Sequence, residues 1–220
     1  HVTEHSFPTR RSSDLEEEIP EELILETRIF HFGTLSMTHE KVRRATKKAV
    51  AIAKQAGAII SFDPNIREPL WNSMDEAREQ VLYGLGQCHI LKISDNEIQW
   101  LTGKNDYTEA VKWIREKYDI PLILVSMGKE GSRAYYQDRM VEKAPFINEN
   151  TIETTGAGDT FCACVLHYIC KHGLENLTEK NLKEMLTYAN AAASIITTRK
   201  GALRVMPRPE EIEALIAGHH

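Results

Sequence analysis

The sequence predicts an α/β fold with a mostly parallel sheet covered by helices on both faces. Two observations carry that expectation. From Glu16 onward, short apolar runs of strand length alternate with stretches whose apolar residues recur three or four apart. The polar residues that stand out gather just after the apolar runs, and ligands in such sheets bind beyond the carboxyl ends of the strands. The 220 residues, 42% hydrophobic and 27% charged, suit one soluble globular domain with a sizeable core.

The elements follow in order. "RIFHFG" (residues 28–33) reads as a short buried strand. A helix follows on the stripe Val42, Ala45, Ala49, Ile52, Ala53 and Ala56, with Gly57 as its C-cap. Its Lys41, Arg43, Arg44, Lys47 and Lys48 read as a solvated face, because the chain as a whole is acidic. "AIISFD" (58–63) is the second strand, and Ser73 and Glu76 have capping-box spacing before the next helix. "CHILKIS" (88–94) is the third strand, followed by helical stretches over 95–102 and 108–118. "PLILVSMG" (121–128) is the fourth, with a hairpin in "GSRAYYQDRMV" after it. Helices are expected over 157–171, 179–197 and 209–216. Asp63, Asn65 and Arg67 then sit after the second strand, Ser94 after the third, and Ser126 and Gly128 after the fourth.

A net charge of −5 gives no reason to expect a nucleic-acid partner. No apolar stretch approaches the length of a membrane span, so a cytoplasmic protein is expected. Cys88, Cys162, Cys164 and Cys170 lack zinc spacing and read as reduced thiols in a cytosolic core. "HVTEHSFPTRRSSDL" (1–15) does not fit the rest. Its segment from Ser6 to Leu15 back-translates in full into a common sequencing adapter, TCT TTC CCT ACA CGA CGC TCT TCC GAT CTN. Residues 1–15 are therefore expected to be translated adapter, not native protein, with the real sequence starting near Glu16.

"TIETTGAGDTF" (151–161) carries the chemistry. Gly156, Ala157 and Gly158 lead into a helix, and small residues there let backbone approach a ligand. The first N–H groups of a helix are unsatisfied and partly positive, which suits phosphate oxygens. Asp159 stands beside that anion hole. A carboxylate repels phosphate, but it makes sense as the acceptor of a proton from a hydroxyl attacking phosphorus. The competing reading is an ordinary helix cap after a glycine turn. No G-K-[ST] follows, so this is not a Walker A loop.

The stretch resembles the C-terminal signature D-T-T-G-A-G-D of the ribokinase-like (PfkB) carbohydrate kinases. "FDPNIREPLW", "LKISDNEIQWLTG", "ILVSMGKEGSRAYY" and "TTRKGAL" match other stretches of that family in the expected order, from Glu16 to about Glu211. Within the family the chain is most similar to fructokinases. The resemblance implies a ribokinase-like three-layer α/β/α sandwich and transfer of the ATP γ-phosphate to a sugar hydroxyl. It implies Asp159 as general base and Gly156, Ala157 and Gly158 as anion hole. Ser126, Gly128 and Gly131 would meet the nucleotide, Lys92 would reach it, and Asn190 of "YANAAAS" would lie against the adenine. Asn65 and Arg67 would lie near the phosphates or the sugar. Ser94 to Glu97 matches the family's N-x-x-E motif with Ser for Asn, so Glu97 would hold Mg²⁺ through water; S-x-x-E is equally a capping box. The family often binds a monovalent cation such as K⁺, here with Glu153 where Asp is usual and Thr155 and Gly201 as neighbours.

Family members open with strands, a β lid and a glycine-rich stretch that hold much of the sugar site, and none precedes "LEEEIPEEL". Residues 16–220 are thus expected to be the C-terminal portion of a single kinase domain, missing its N-terminal strands and lid. Such a piece should be aggregation-prone and nearly inactive. The parent is expected to be a homodimeric kinase turning fructose into fructose 6-phosphate. A kinase for 2-keto-3-deoxygluconate or another sugar, or a non-catalytic nucleotide-binding remnant, are the alternatives. Sequencing the native locus upstream of the Glu16 codon should continue the frame into a glycine-rich front. A genuine start codon near residue 1 would remove the adapter reading.

Overall fold

The structure, a computed structural model, describes residues 16–201 and 203–218. Residues 1–15, and the adapter expectation with them, lie outside the described residues. The chain divides into two compact units, the first ending at Cys88 and the second beginning at His89.

The first unit runs α1 (Glu21–Leu25), β1 (Ile29–Gly33), α2 (Glu40–Gln55), β2 (Ile59–Asp63) and α3 (Met74–Leu85). The short α1 is not foreseen by the sequence pattern. β1 and β2 pair in parallel, Ile29 opposite Ile59 and Gly33 opposite Asp63, with α2 as the crossover that parallel pairing requires. The rings of Phe32 and Phe62 lie 4.8 Å apart, and Phe62 is fully buried. α3 packs on that ring at Gly84, where an added Cβ would stand 2.3 Å from it.

Several details of α2 and α3 depart from expectation. Val50, off the predicted stripe, is fully buried, while Ala56, on it, is exposed. The helix ends at Gln55, and Ala56 is the C-cap with φ −72°. Gly57 is one residue later, at φ +76°, the left-handed turn that lets the chain leave the helix. The basic face is not uniformly solvated. Arg43 donates from Nε to Met37 O (2.8 Å) and pairs with Glu76, and Lys47 lies 4.5 Å over the Tyr83 ring. Ser73 caps α3 by accepting from Glu76 N (3.1 Å), but the reciprocal half of the box is lost, because the Glu76 carboxylate goes to Arg43 and to Asn72 Nδ2 (3.0 Å).

The second unit runs β3 (Ile90–Ser94), α4 (Asp95–Thr102), α5 (Tyr107–Arg115), β4 (Leu122–Ser126), β5 (Ser132–Tyr136), β6 (Arg139–Lys143), α6 (Ala157–His172), α7 (Glu179–Ile196) and α8 (Pro209–Ala217). β3 and β4 are parallel and end level, Ser94 opposite Ser126. β5 and β6 form the expected antiparallel hairpin, turning at Gln137, whose φ is +53°. Ile90, Leu91, Ile93, Leu122, Ile123, Leu124 and Val125 are all fully buried, the unbroken apolar pattern of strands covered on both faces. α5 begins at Tyr107 because Asp106 caps it, accepting from Glu109 N (2.9 Å).

The four cysteines are free thiols, as expected. Burial pushes the Cys88 thiol up to about 12 and that of Cys164 up to about 11, so both stay protonated near neutral pH. Among the described residues no helix is long and apolar enough to cross a membrane.

Gly84→Ala is expected to cost about 1–3 kcal/mol of unfolding free energy in urea titrations, since a fully buried ring must give way. Hydrogen bonds from Arg43 and then Asn72 hold the Glu76 carboxyl below its ordinary range. A carboxyl depressed in the folded state stabilises fully above its unfolded pKa and loses that contribution as pH falls through the folded value. Glu76→Gln should therefore be less stable than the unmodified chain at neutral pH. The two stability curves should converge below the ordinary glutamate value of about 4.3.

Candidate active site

The site in the second unit is built on the start of α6. Gly156 is its N-cap at φ +79°, a conformation that side chains rarely adopt, and it turns the chain so that Ala157, Gly158 and Asp159 become the first three helical residues. No side chain caps this end. Ala157 N turns back to Thr154 O (3.2 Å). Gly156, Ala157 and Gly158 are half-buried, and Asp159 is exposed.

Lys92 comes up from β3 to the same turn. It is only 6% exposed, and a Cβ on Gly158 would stand 3.2 Å from its Nζ. The glycine thus makes room for an ammonium against the positive end of a helix. The two fields add at one place and favour an anion there. The helix-cap reading expected a capping side chain, and Asp159, at the third helical position, does not supply one.

Ser94 and Glu97 resolve differently, since the capping box forms. Glu97 Oε2 accepts from Ser94 N (2.9 Å) and Ser94 Oγ (2.8 Å), while Ser94 Oγ is the acceptor for Glu97 N (3.4 Å). The cap sets the direction of the Glu97 carboxylate. Among the described residues no group of three or more His, Cys, Asp or Glu would hold a metal ion alone. One oriented carboxylate suits Mg²⁺, which dehydrates reluctantly and takes its other ligands from water and phosphates.

Beyond β4, Ser126 is half-buried, and Gly128 is exposed at φ +53° with open space where a side chain would be. Gly131 and Asn190 have work inside the fold. A Cβ on the buried Gly131 would stand 2.1 Å from Lys143 O. Asn190 accepts from Ser132 Oγ (2.9 Å) and donates to Lys143 O (3.2 Å) and Ala144 O (3.1 Å). Its amide staples α7 to β5 and to the end of β6, leaving van der Waals contact as what it would offer an adenine. Ser132, the third member of that staple, has no distinguishing signal in the sequence.

Glu153, half-buried, accepts from Gly201 N through Oε1 (2.9 Å), and Thr155 is exposed. In the first unit, Asn65 stands after β2 at φ +44°, a left-handed conformation that asparagine tolerates better than most residues with a side chain, and Arg67 is exposed, donating to Ile66 O (3.2 Å). Sequence reasoning missed Thr34, which is fully buried and fixes this loop: its Oγ1 donates to Pro64 O (2.5 Å).

Known sequences and structures resemble the chain as a whole. The model of the pfkB family carbohydrate kinases matches residues 4–209. Fructokinase-1 of Zea mays is 38% identical over 200 residues, 91% of this chain and 62% of its own. The chain spans about three fifths of the length of the curated relatives it matches. Among solved structures, a putative ribokinase II of E. coli in complex with ATP and Mg²⁺ superposes with a TM-score of 0.81 at 27% identity, covering 93% of this chain and 63% of that one. A fructokinase double mutant from Vibrio cholerae O395 in fructose-, ADP- and potassium-bound form superposes with a TM-score of 0.78 at 26% identity, covering 86% and 60%.

Asn190→Ala should destabilise the protein by about 1–3 kcal/mol, because it strands a buried serine hydroxyl and two carbonyls. Urea unfolding monitored by tyrosine and tryptophan fluorescence would measure it.

Proposed function

The chain belongs to the pfkB family of carbohydrate kinases, and from that premise we propose that it carries the nucleotide and catalytic half of an ATP-dependent fructose kinase. The observation that carries the proposal is the meeting of the uncapped α6 turn, the buried Lys92 ammonium beneath Gly158 and the exposed Asp159 carboxylate. Fructose is the proposed substrate because the maize relative is named a fructokinase and the Vibrio cholerae neighbour holds fructose.

The reaction needs an attacking oxygen, a place for its proton and stabilisation of charge on the transferred group. In this reading Asp159 accepts the proton from the sugar hydroxyl as that oxygen bonds to the γ-phosphorus and the bond to the ADP oxygen breaks. The backbone N–H groups of Gly156 and Gly158 face the equatorial oxygens, that of Ala157 joins them on leaving Thr154 O (3.2 Å), and Lys92 adds a full positive charge from below. Mg²⁺, when bound, neutralises charge on the phosphates. Glu97, held by its cap, would hold it through water. Ser126 and Gly128 lie along the nucleotide, while Gly131 and Asn190 keep the wall behind it in shape. By the family resemblance Asn65 and Arg67 would serve the sugar or a phosphate, and the arginine's planar fork matches phosphate geometry.

Assay both the 220-residue chain and any longer reading frame that the native locus carries. Asp159→Asn should keep ADP affinity and lose turnover on fructose by about 10²–10⁴-fold. An unchanged rate would remove Asp159 as base, and a panel of other sugars with higher kcat/KM would move the substrate away from fructose. Lys92→Met should weaken ADP binding and lower kcat together, whereas a lysine that only fills space would leave both unchanged.

A further inference from the structure

A line of bonds runs from α8 to the segment that leads into the GAGD turn. Ile212 of α8 is 3% exposed and packs on the fully buried Ala191 and Ala192 of α7, which fixes where α8 begins. Glu211, the residue before, holds two donors there. Its Oε2 accepts from Arg208 N (2.8 Å), and its Oε1 accepts from Arg199 Nη2 (2.5 Å). These bonds, Arg208 N first, hold the Glu211 carboxyl below its ordinary range, so it is ionised at neutral pH. Arg199 Nη1 donates to Val205 O (3.0 Å), and Arg199 N donates to Ile196 O (3.1 Å). The arginine thereby closes the turn that follows α7. That same turn grips the segment ahead of α6. Thr197 O accepts from Ile152 N (2.9 Å) and Glu153 N (3.2 Å), and Gly201 N donates to Glu153 Oε1 (2.9 Å). Gly156 stands three residues after Glu153.

We infer that Glu211 is a positioning residue for the anion turn: with Arg199 it fixes the turn after α7, and that turn fixes the approach to Gly156. Glu211 touches no reacting atom and acts only through these bonds. The physical basis is the arginine's fork. One rigid guanidinium plane bonds a carboxylate and a carbonyl at once, so the place of α8 is passed on to the turn. Coupling between distant places is carried by packed and bonded contacts of this kind. A small slip suffices to matter, since a misplacement of about 1 Å at a reacting centre can cost ~10²-fold in rate.

The inference rests on the kinase reading for the meaning of the turn and for ADP as its probe. The test compares the full chain with Glu211→Ala, with Arg199→Met, which leaves the start of α8 capped, and with Glu210→Ala as control, which removes the neighbouring carboxylate. Amide hydrogen exchange and amide resonances are followed by NMR, and ADP affinity by titration. In Glu211→Ala and Arg199→Met the amides of Ile152, Glu153 and Gly201 should exchange about tenfold faster, while Leu91 and Leu124 in β3 and β4 exchange as before. The Gly156 and Gly158 resonances should shift, and ADP should bind about tenfold more weakly. Glu210→Ala should match the unmodified chain throughout. Exchange that speeds equally at Leu91 and Leu124 would overturn the inference, because Glu211 would then serve stability at large. Unchanged exchange at Ile152, Glu153 and Gly201, unmoved Gly156 and Gly158 resonances, or undiminished ADP affinity in both variants would overturn it as well. An unmodified chain that binds no ADP would count against the kinase reading instead, with exchange and resonances still deciding whether Glu211 places the turn.

Discussion

The ammonium of Lys92 set against the start of α6 is the interaction on which the rest of the second unit depends. Burying a charge is costly, and a fold carries that cost only where something holds the charge in place. β3 does so, with Leu91 and Ile93 fully buried on either side of the lysine in the chain. The helix must arrive with a glycine at its second position, since a methyl there would press on the ammonium. It must also arrive through a left-handed residue, which Gly156 supplies. Three local requirements thus converge on one small volume of positive potential.

Around that volume the chain separates exposed groups from groups bonded within the fold. Asp159 and Gly128 are exposed. Behind them the bonding is internal. Glu97 is steered by the cap of α4, Asn190 clasps β5 and the end of β6, and Glu153 braces the approach to α6. In the first unit, Thr34 does the same for the loop after β2. Under the proposed function such support would matter, because phosphoryl transfer rewards fixed positions more than any single strong group.

How much of this could be read from residues alone differs from element to element. The strands were legible because unbroken apolar runs such as "LILV" leave few other choices, and the GAGD turn because glycine, alanine and aspartate in that order have few structural uses together. Helix edges were less so. Ala56 fits the periodicity of α2 but falls beyond its last turn, and Glu76 has the spacing of a capping box yet is drawn to Arg43, a residue 33 positions away. Periodicity and spacing are local; the competitor for a side chain is not. The same limit hid Ser132 and Thr34, whose partners lie 58 and 30 residues off in the chain. It also hid the division of labour within "MGKEG", since nothing in the string says which glycine faces outward.

That last pair has a consequence for reading such motifs in other chains. Gly131 is required by the carbonyl of Lys143, whatever the protein binds. A descendant that had lost all catalysis would still need it to close the hairpin. Gly128 faces open space, and only its left-handed backbone asks for glycine, a demand that asparagine can also meet. The persistence of the second glycine therefore testifies to folding. If Gly128 lies along a nucleotide as proposed, its replacement by a bulky residue is the better indicator that a chain of this shape has stopped handling one.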